Sequence, residues 1–160
     1  MTKKMKFALF GNVYQEHSCT SVQKFFTMAR EKEADIAISE QFYLFLHEHL
    51  KIDIPECEII KDNYFTADYV LCVGGDGTFL DVASRVGDKQ IPIIGINTGR
   101  LGFLASFPPD NIEETIEDIY AGRFNVEQHS VLQISCDEFQ LKDYPCALNG
   151  ASEVAVRAYL

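Results

Sequence analysis

The chain reads as an α/β protein: a Rossmann-like parallel sheet with helices on both faces, followed by the start of an incomplete β-rich second domain. Three features carry that reading. Short apolar runs alternate with segments of helical spacing, as they do when parallel strands are joined by crossover helices. Two of the runs, Tyr69 to Val73 and Ile91 to Ile96, are apolar almost throughout rather than alternating, the pattern of strands covered on both faces. Finally, 160 residues, 47% hydrophobic and 24% charged, suffice to bury one sizeable core with only the beginning of another. The rhythm breaks near Phe124, so residues 1–124 are expected to form the α/β unit and 125–160 to open a β-rich one.

Each element follows from its residues. Lys6 to Phe10 is a short apolar run closed by Gly11-Asn12, a strand and its turn. Val22, Phe25, Phe26 and Ala29 recur at helical spacing and predict a helix over 22–34, with Thr20 or Ser21 as its cap. Ile36 to Ile38 supplies a second strand, and 41–50 a second helix with Leu44, its aromatic neighbours and Leu50 facing the core. After a loop containing Pro55, the apolar strand Tyr69–Val73 delivers the chain into Gly74-Gly75. A helix over 79–86, the strand 91–96 and a helix over 112–120 ending near Gly122 complete the alternation. Beyond Phe124, Val131 to Ser135 and Glu153 to Val156 read as strands without a convincing helix between them, too few to close a sheet of their own.

A net charge of −10 excludes a general nucleic-acid-binding surface, because non-specific affinity for phosphodiesters comes from clustered Lys and Arg. No apolar run approaches the roughly 20 residues that cross a bilayer, so no membrane partner is expected. The five cysteines contain no Cys-x-x-Cys pair and are odd in number, which suits a reducing, cytoplasmic setting. His47 and His49 sit two apart on a predicted helix and diverge by roughly 200°. No metal-ligating set is assigned to these or other residues.

The segment with chemistry in it is Gly74-Gly75-Asp76-Gly77-Thr78. A buried strand running into such a loop and then a helix gathers backbone N–H groups around a concavity, with the helix N-terminus adding partial positive charge. Glycines there are expected to allow positive φ and close approach of a phosphate. Asp76 needs its own explanation. A carboxylate among phosphate-binding amides repels the ligand unless it coordinates a metal or accepts a proton from a hydroxyl nucleophile. The plainer alternative makes Asp76 a cap of the following helix and the glycines a simple bend. The spacing matches neither a Gly-Lys-Ser/Thr phosphate loop nor Gly-x-Gly-x-x-Gly, so the residues alone point to a phosphate loop with an acid in it.

Gly-Gly-Asp-Gly-Thr resembles the signature shared by NAD kinases, the diacylglycerol and sphingosine lipid kinases and, in shorter form, the phosphofructokinases. The stretch Gly95-Ile96-Asn97-Thr98-Gly99-Arg100-Leu101-Gly102-Phe103-Leu104 resembles the second NAD kinase motif, at the distance that family uses. Lipid kinases carry a Pro-x-Gly-Thr-type segment there. Cys146-Ala147-Leu148-Asn149 resembles the start of the third motif, so the similarity covers most of residues 5–149. This resemblance implies transfer of the γ-phosphoryl group of ATP, or of a phosphoryl group from polyphosphate, to the 2′-hydroxyl of the adenosine ribose of NAD. A divalent metal, magnesium expected, is implied with it. So are Asp76 as proton acceptor, Gly74, Gly75, Gly77 and Thr78 around the phosphates, and Asp76, Gly77, Phe103, Asn149 and Glu153 toward NAD. A homo-oligomer is likewise implied.

In the family the third motif continues directly with Glu or Asp, but here Gly150-Ala151-Ser152 precedes Glu153. On a straight strand Glu153 would face away from Gly150 and lie about 10 Å further along. The family's Gly-Ser-Thr-Ala-Tyr-like segment has no counterpart, so the chain is expected to be a fragment with weak or no activity alone. The competing readings are a lipid or sugar kinase of the same superfamily and an inactive nucleotide-binding or assembly module.

Overall fold

A computed structural model describes residues 4–13, 19–99, 102–105, 107–131 and 154–159, with the backbone alone for 130–131 and 154–159. Along the chain the order is β1 (Lys6–Gly11), α1 (Cys19–Glu31), β2 (Asp35–Ser39), α2 (Glu40–Leu44) prolonged by a π-helical turn over Phe45–His49, and β3 (Glu58–Ile60). There follow β4 (Tyr69–Gly74), α3 (Asp76–Val86), β5 (Ile93–Asn97), α4 (Ile112–Ala121), β6 (Val126–Val131) and β7 (Val154–Tyr159).

Successive residues of a strand point to opposite faces, and here both faces are apolar. Phe7 and Leu9 of β1 join one core while Ala8 and Phe10 join another, and β4 divides the same way, Leu71 and Val73 against Val70 and Cys72. On the first face α1 contributes Val22, Phe25 and Phe26, α2 and its turn Phe42 and Leu46, and α4 Ile112, Ile116 and Ile119. On the second, α3 contributes Phe79, Val82 and Val86, with Phe65 beneath Phe10. The expected layering, helix on both sides of a parallel sheet, is therefore what the chain adopts.

The sheet order is β3-β2-β1-β4-β5-β7-β6. β1 to β5 are mutually parallel, β7 joins β5 in parallel, and β6 closes the edge antiparallel to β7. From β1 the chain moves outward through β2 to β3, then crosses back to lay β4 on the other side of β1. This reversal opens a crevice at the carboxyl ends of β1 and β4, where open α/β sheets receive their ligands.

Several boundaries differ from expectation for identifiable reasons. α1 starts at Cys19 and ends at Glu31, not at 22 and 34, because Glu33 takes a left-handed φ of 52°. Ser21 is no cap: it is buried inside the helix and donates its hydroxyl to the Pro109 carbonyl at 3.0 Å. Leu44 is 44% exposed, since the π-helical turn rotates Phe45 and Leu46 into the core in its place. β3 has only three residues, too few for a sequence pattern. β6 begins at Val126 rather than 131, its polar Glu127, Gln128 and His129 concealing a strand at the sheet edge; positions 132–135 lie outside the described residues. β7 runs over 154–159. Both strands are hydrogen-bonded into the same seven-stranded sheet, β6 antiparallel to β7. No described helix is long and apolar enough to cross a membrane.

Candidate functional site

β4 ends at Gly74, where a Cβ would lie 2.5 Å from the Thr78 hydroxyl, so the absence of a side chain lets Thr78 sit against the strand end. Gly75 is the N-cap of α3, at φ −104° and ψ −169°, and no side chain caps the helix. Phe79 donates the first helical bond, to the Gly75 carbonyl at 3.0 Å. The N–H groups of Asp76, Gly77 and Thr78 belong to the first turn, where no intrahelical carbonyl accepts them. A Cβ at Gly75 or Gly77 would meet nothing within 4 Å. Neither glycine has positive φ, contrary to expectation. Packing and backbone conformation thus leave both positions free to carry a side chain. Their openness clears the approach to a helix N-terminus, the usual provision for an anion.

Helix α3 begins three residues earlier than predicted, which puts Asp76 in its first turn rather than in a loop before it. The carboxylate does not cap the helix. It reaches instead across to the segment after β5, accepting N–H bonds from Phe103 at 2.8 Å through Oδ2 and from Leu104 at 3.0 Å and Ala105 at 3.2 Å through Oδ1. Burial pushes its pKa up, but the three N–H donors outweigh burial and hold it below its ordinary value. Asp76 is therefore ionised at neutral pH.

Why the segment returns to Asp76 is visible in the backbone. Asn97, at the end of β5, is buried and its Oδ1 accepts the Gly99 N–H at 2.9 Å, turning the chain. Thr98 donates to the Gly74 carbonyl at 3.3 Å, joining the two loops. Phe107 then pairs with β5, donating to the Gly95 carbonyl at 3.1 Å and accepting from Asn97 at 2.8 Å. Between these ties Ala105 is fully buried, while the ring of Phe103 is 93% exposed.

The family model described as ATP-NAD kinase N-terminal domain matches residues 2–124. The chain belongs to the NAD kinase family. An NAD kinase of Bacteroides fragilis is 46% identical over 152 residues, covering 95% of this chain and 51% of that protein. One from Cytophaga hutchinsonii is 32% identical, over 91% and 50% of the two chains. The chain thus spans about half the length of the curated NAD kinases it matches. Among solved structures, yeast NADH kinase complexed with NADH superposes with a TM-score of 0.66 at 18% identity, over 80% of this chain and 39% of that one, which shows a shared fold.

Of the positions the NAD kinase resemblance singled out, Gly74, Gly75, Asp76, Gly77, Thr78 and Phe103 come together at the carboxyl ends of β4 and β5. Asn149 and Glu153 lie outside the described residues. Gly102 and Leu104, which belong to the second motif but carry no assigned role, and Ala105, outside it, surround the carboxylate; the spacing of glycines at 95, 99 and 102 is the available sign of a tightly folded loop. Among the described residues no three His, Cys, Asp or Glu side chains converge on a metal position.

Proposed function

We propose that the chain is the nucleotide-handling half of an NAD kinase that moves the γ-phosphoryl group of ATP onto the 2′-hydroxyl of the adenosine ribose of NAD. The acceptor count at Asp76 carries this reading. An ionised carboxylate offers about four lone-pair sites. Leu104 and Ala105 occupy Oδ1, but Phe103 alone occupies Oδ2, so among the described residues Oδ2 keeps one site for a hydroxyl proton. Asp76 itself belongs to the first turn of α3, which pairs a proton acceptor with an anion cradle on one element. Phosphoryl transfer to a hydroxyl needs both. The donors that keep Asp76 ionised also make it a weak base. This suits a loose transition state, in which the hydroxyl gives up its proton only as the new P–O bond completes.

In this scheme Gly74, Gly75, Gly77 and Thr78 surround the phosphates, Phe103 offers its exposed ring to adenine, and Asn149 and Glu153 hold the ribose of NAD. Residues 125–160 open the NAD-binding domain, and the enzyme works as a cytoplasmic homo-oligomer with magnesium, on ATP or polyphosphate. The family membership and the span of about half a relative support assaying two forms: the 160-residue chain, and the same chain joined to the remaining half of the Bacteroides fragilis relative. The joined form should make NADP from ATP and NAD. Asp76→Asn should lower its turnover by on the order of a hundredfold or more while calorimetry still detects both nucleotides. Full activity in Asp76→Asn would refute the role of Asp76. Binding without turnover in the joined form would favour the inactive module, and indifference to NAD a lipid kinase.

A further inference from the structure

We propose that Gly102 is a positioning residue for Asp76: its missing side chain lets the backbone of 103–105 close over the carboxylate and fix its orientation. The catalytic consequence rests on the function proposed above; the contact itself does not.

A Cβ built on Gly102 collides with the carboxylate of Asp76, coming within 2.6 Å of Cγ and closer still to Oδ1. The carboxylate occupies the space a side chain on Gly102 would take, so the lack of one serves this approach. The segment cannot back away to relieve the collision, because it is held from behind. A Cβ on Gly95 would sit 2.7 Å from the Ala105 Cα and 3.0 Å from the buried Phe79 ring, so strand and segment are already at closest approach. What can move is the obstructing group at Gly102, the far end of a flexible side chain. An alanine there turns the carboxylate out of its N–H cradle and leaves the backbone in place. Among the described residues no charged side chain contributes to holding Asp76 ionised: burial opposes ionisation and the Phe103, Leu104 and Ala105 N–H groups favour it. Displacement therefore removes the favourable contribution of these three donors.

The test is an NMR pH titration of the isotopically labelled 160-residue chain, following Asp76 Cγ and the amides of Phe103, Leu104 and Ala105. In the unsubstituted chain the three amides should shift with the same midpoint as Cγ, below the ordinary carboxylate value of 3.8. In Gly102→Ala the Cγ midpoint should rise to 3.8 or above and the three amides should cease to follow it, while amides of β1 and β4 keep their positions. In the joined enzyme the same substitution should lower kcat with little change in KM for ATP. A folded Gly102→Ala chain with an unmoved midpoint would overturn the proposal, as would unsubstituted amides that ignore the titration of Asp76. If the variant fails to fold, the titration of the unsubstituted chain decides alone. Should the contact be confirmed while the joined enzyme makes no NADP, the functional reading fails and the positioning contact stands.

Discussion

Asp76→Ala removes the common acceptor of three backbone N–H groups, so the residue assigned to chemistry should also be a measurable part of the fold's stability. Hydrogen bonds to a charged group contribute about 1.5–3 kcal/mol where water is excluded. Here the Phe103 bond is exposed and the other two are part-buried. Solvent screening reduces the latter to about 1 kcal/mol each and the former to nearly nothing. The acid in the first turn of α3 adds roughly 0.3–1 kcal/mol through the helix dipole. The loss should come to about 2–3 kcal/mol, and at roughly 2–4 °C per kcal/mol for a chain of this size the Tm should fall by about 5–10 °C. Circular-dichroism melts at neutral pH measure it. The sign with pH is fixed: a lowered folded pKa stabilises above the unfolded carboxylate range, and this contribution disappears as pH falls through the folded value. The two melting temperatures should therefore converge in acid. A difference under about 0.5 kcal/mol at neutral pH, or one that widens on acidification, would refute the reasoning. Asp76→Asn keeps an acceptor oxygen and should lose about half as much.

Gly95→Ala drives a methyl into the Ala105 backbone and should cost about 1–3 kcal/mol in a urea titration; stability equal to the parent chain would mean that the two strand-end segments are looser than described. Phe103→Ala should leave the stability within about 0.5 kcal/mol of the parent, since the ring is already in solvent, yet weaken NAD binding by calorimetry in the joined enzyme. Unchanged affinity would remove Phe103 from the adenine site. Cys72 is fully buried, and burial, with a smaller contribution from Asp81, pushes its thiol up to a range where little thiolate forms. It should react with a disulfide reagent only at the rate of unfolding, and rapid labelling of Cys72 in the native chain would contradict that packing.

The layered fold was legible in the sequence because doubly buried strands leave uninterrupted apolar runs, as in Tyr69 to Val73, whose residues pack alternately into two cores. β6 escaped notice for the complementary reason, being an edge strand whose polar residues carry no such signal. Helix boundaries slipped where tertiary contacts outweighed local preference, as at Ser21, which has the residue type of a cap but is held inside α1 by Pro109. At the site, the sequence located the acid but not its company. Glycine spacing marks a tight loop without saying what it closes upon, and the meeting of Gly102 with Asp76 joins elements 26 residues apart. The expected reason for glycine also changed: Gly75 and Gly77 face open space without positive φ, while Gly74, Gly95 and Gly102 admit other parts of the chain.

The outer edge of β5 is divided between two segments, β7 against Ile93 and Ile94 and Phe107 against Gly95 and Asn97. All five residues of β5 are buried, and an uncovered edge on so apolar a strand is a template for recruiting another chain into the sheet. The division therefore separates two duties. Loss of the Phe107 pairing would uncover only the stretch Gly95 to Asn97, too short a strip to start intermolecular strand addition. Cover against strand addition at Ile93 and Ile94 stays with β7, which makes none of the hydrogen bonds to the carboxylate.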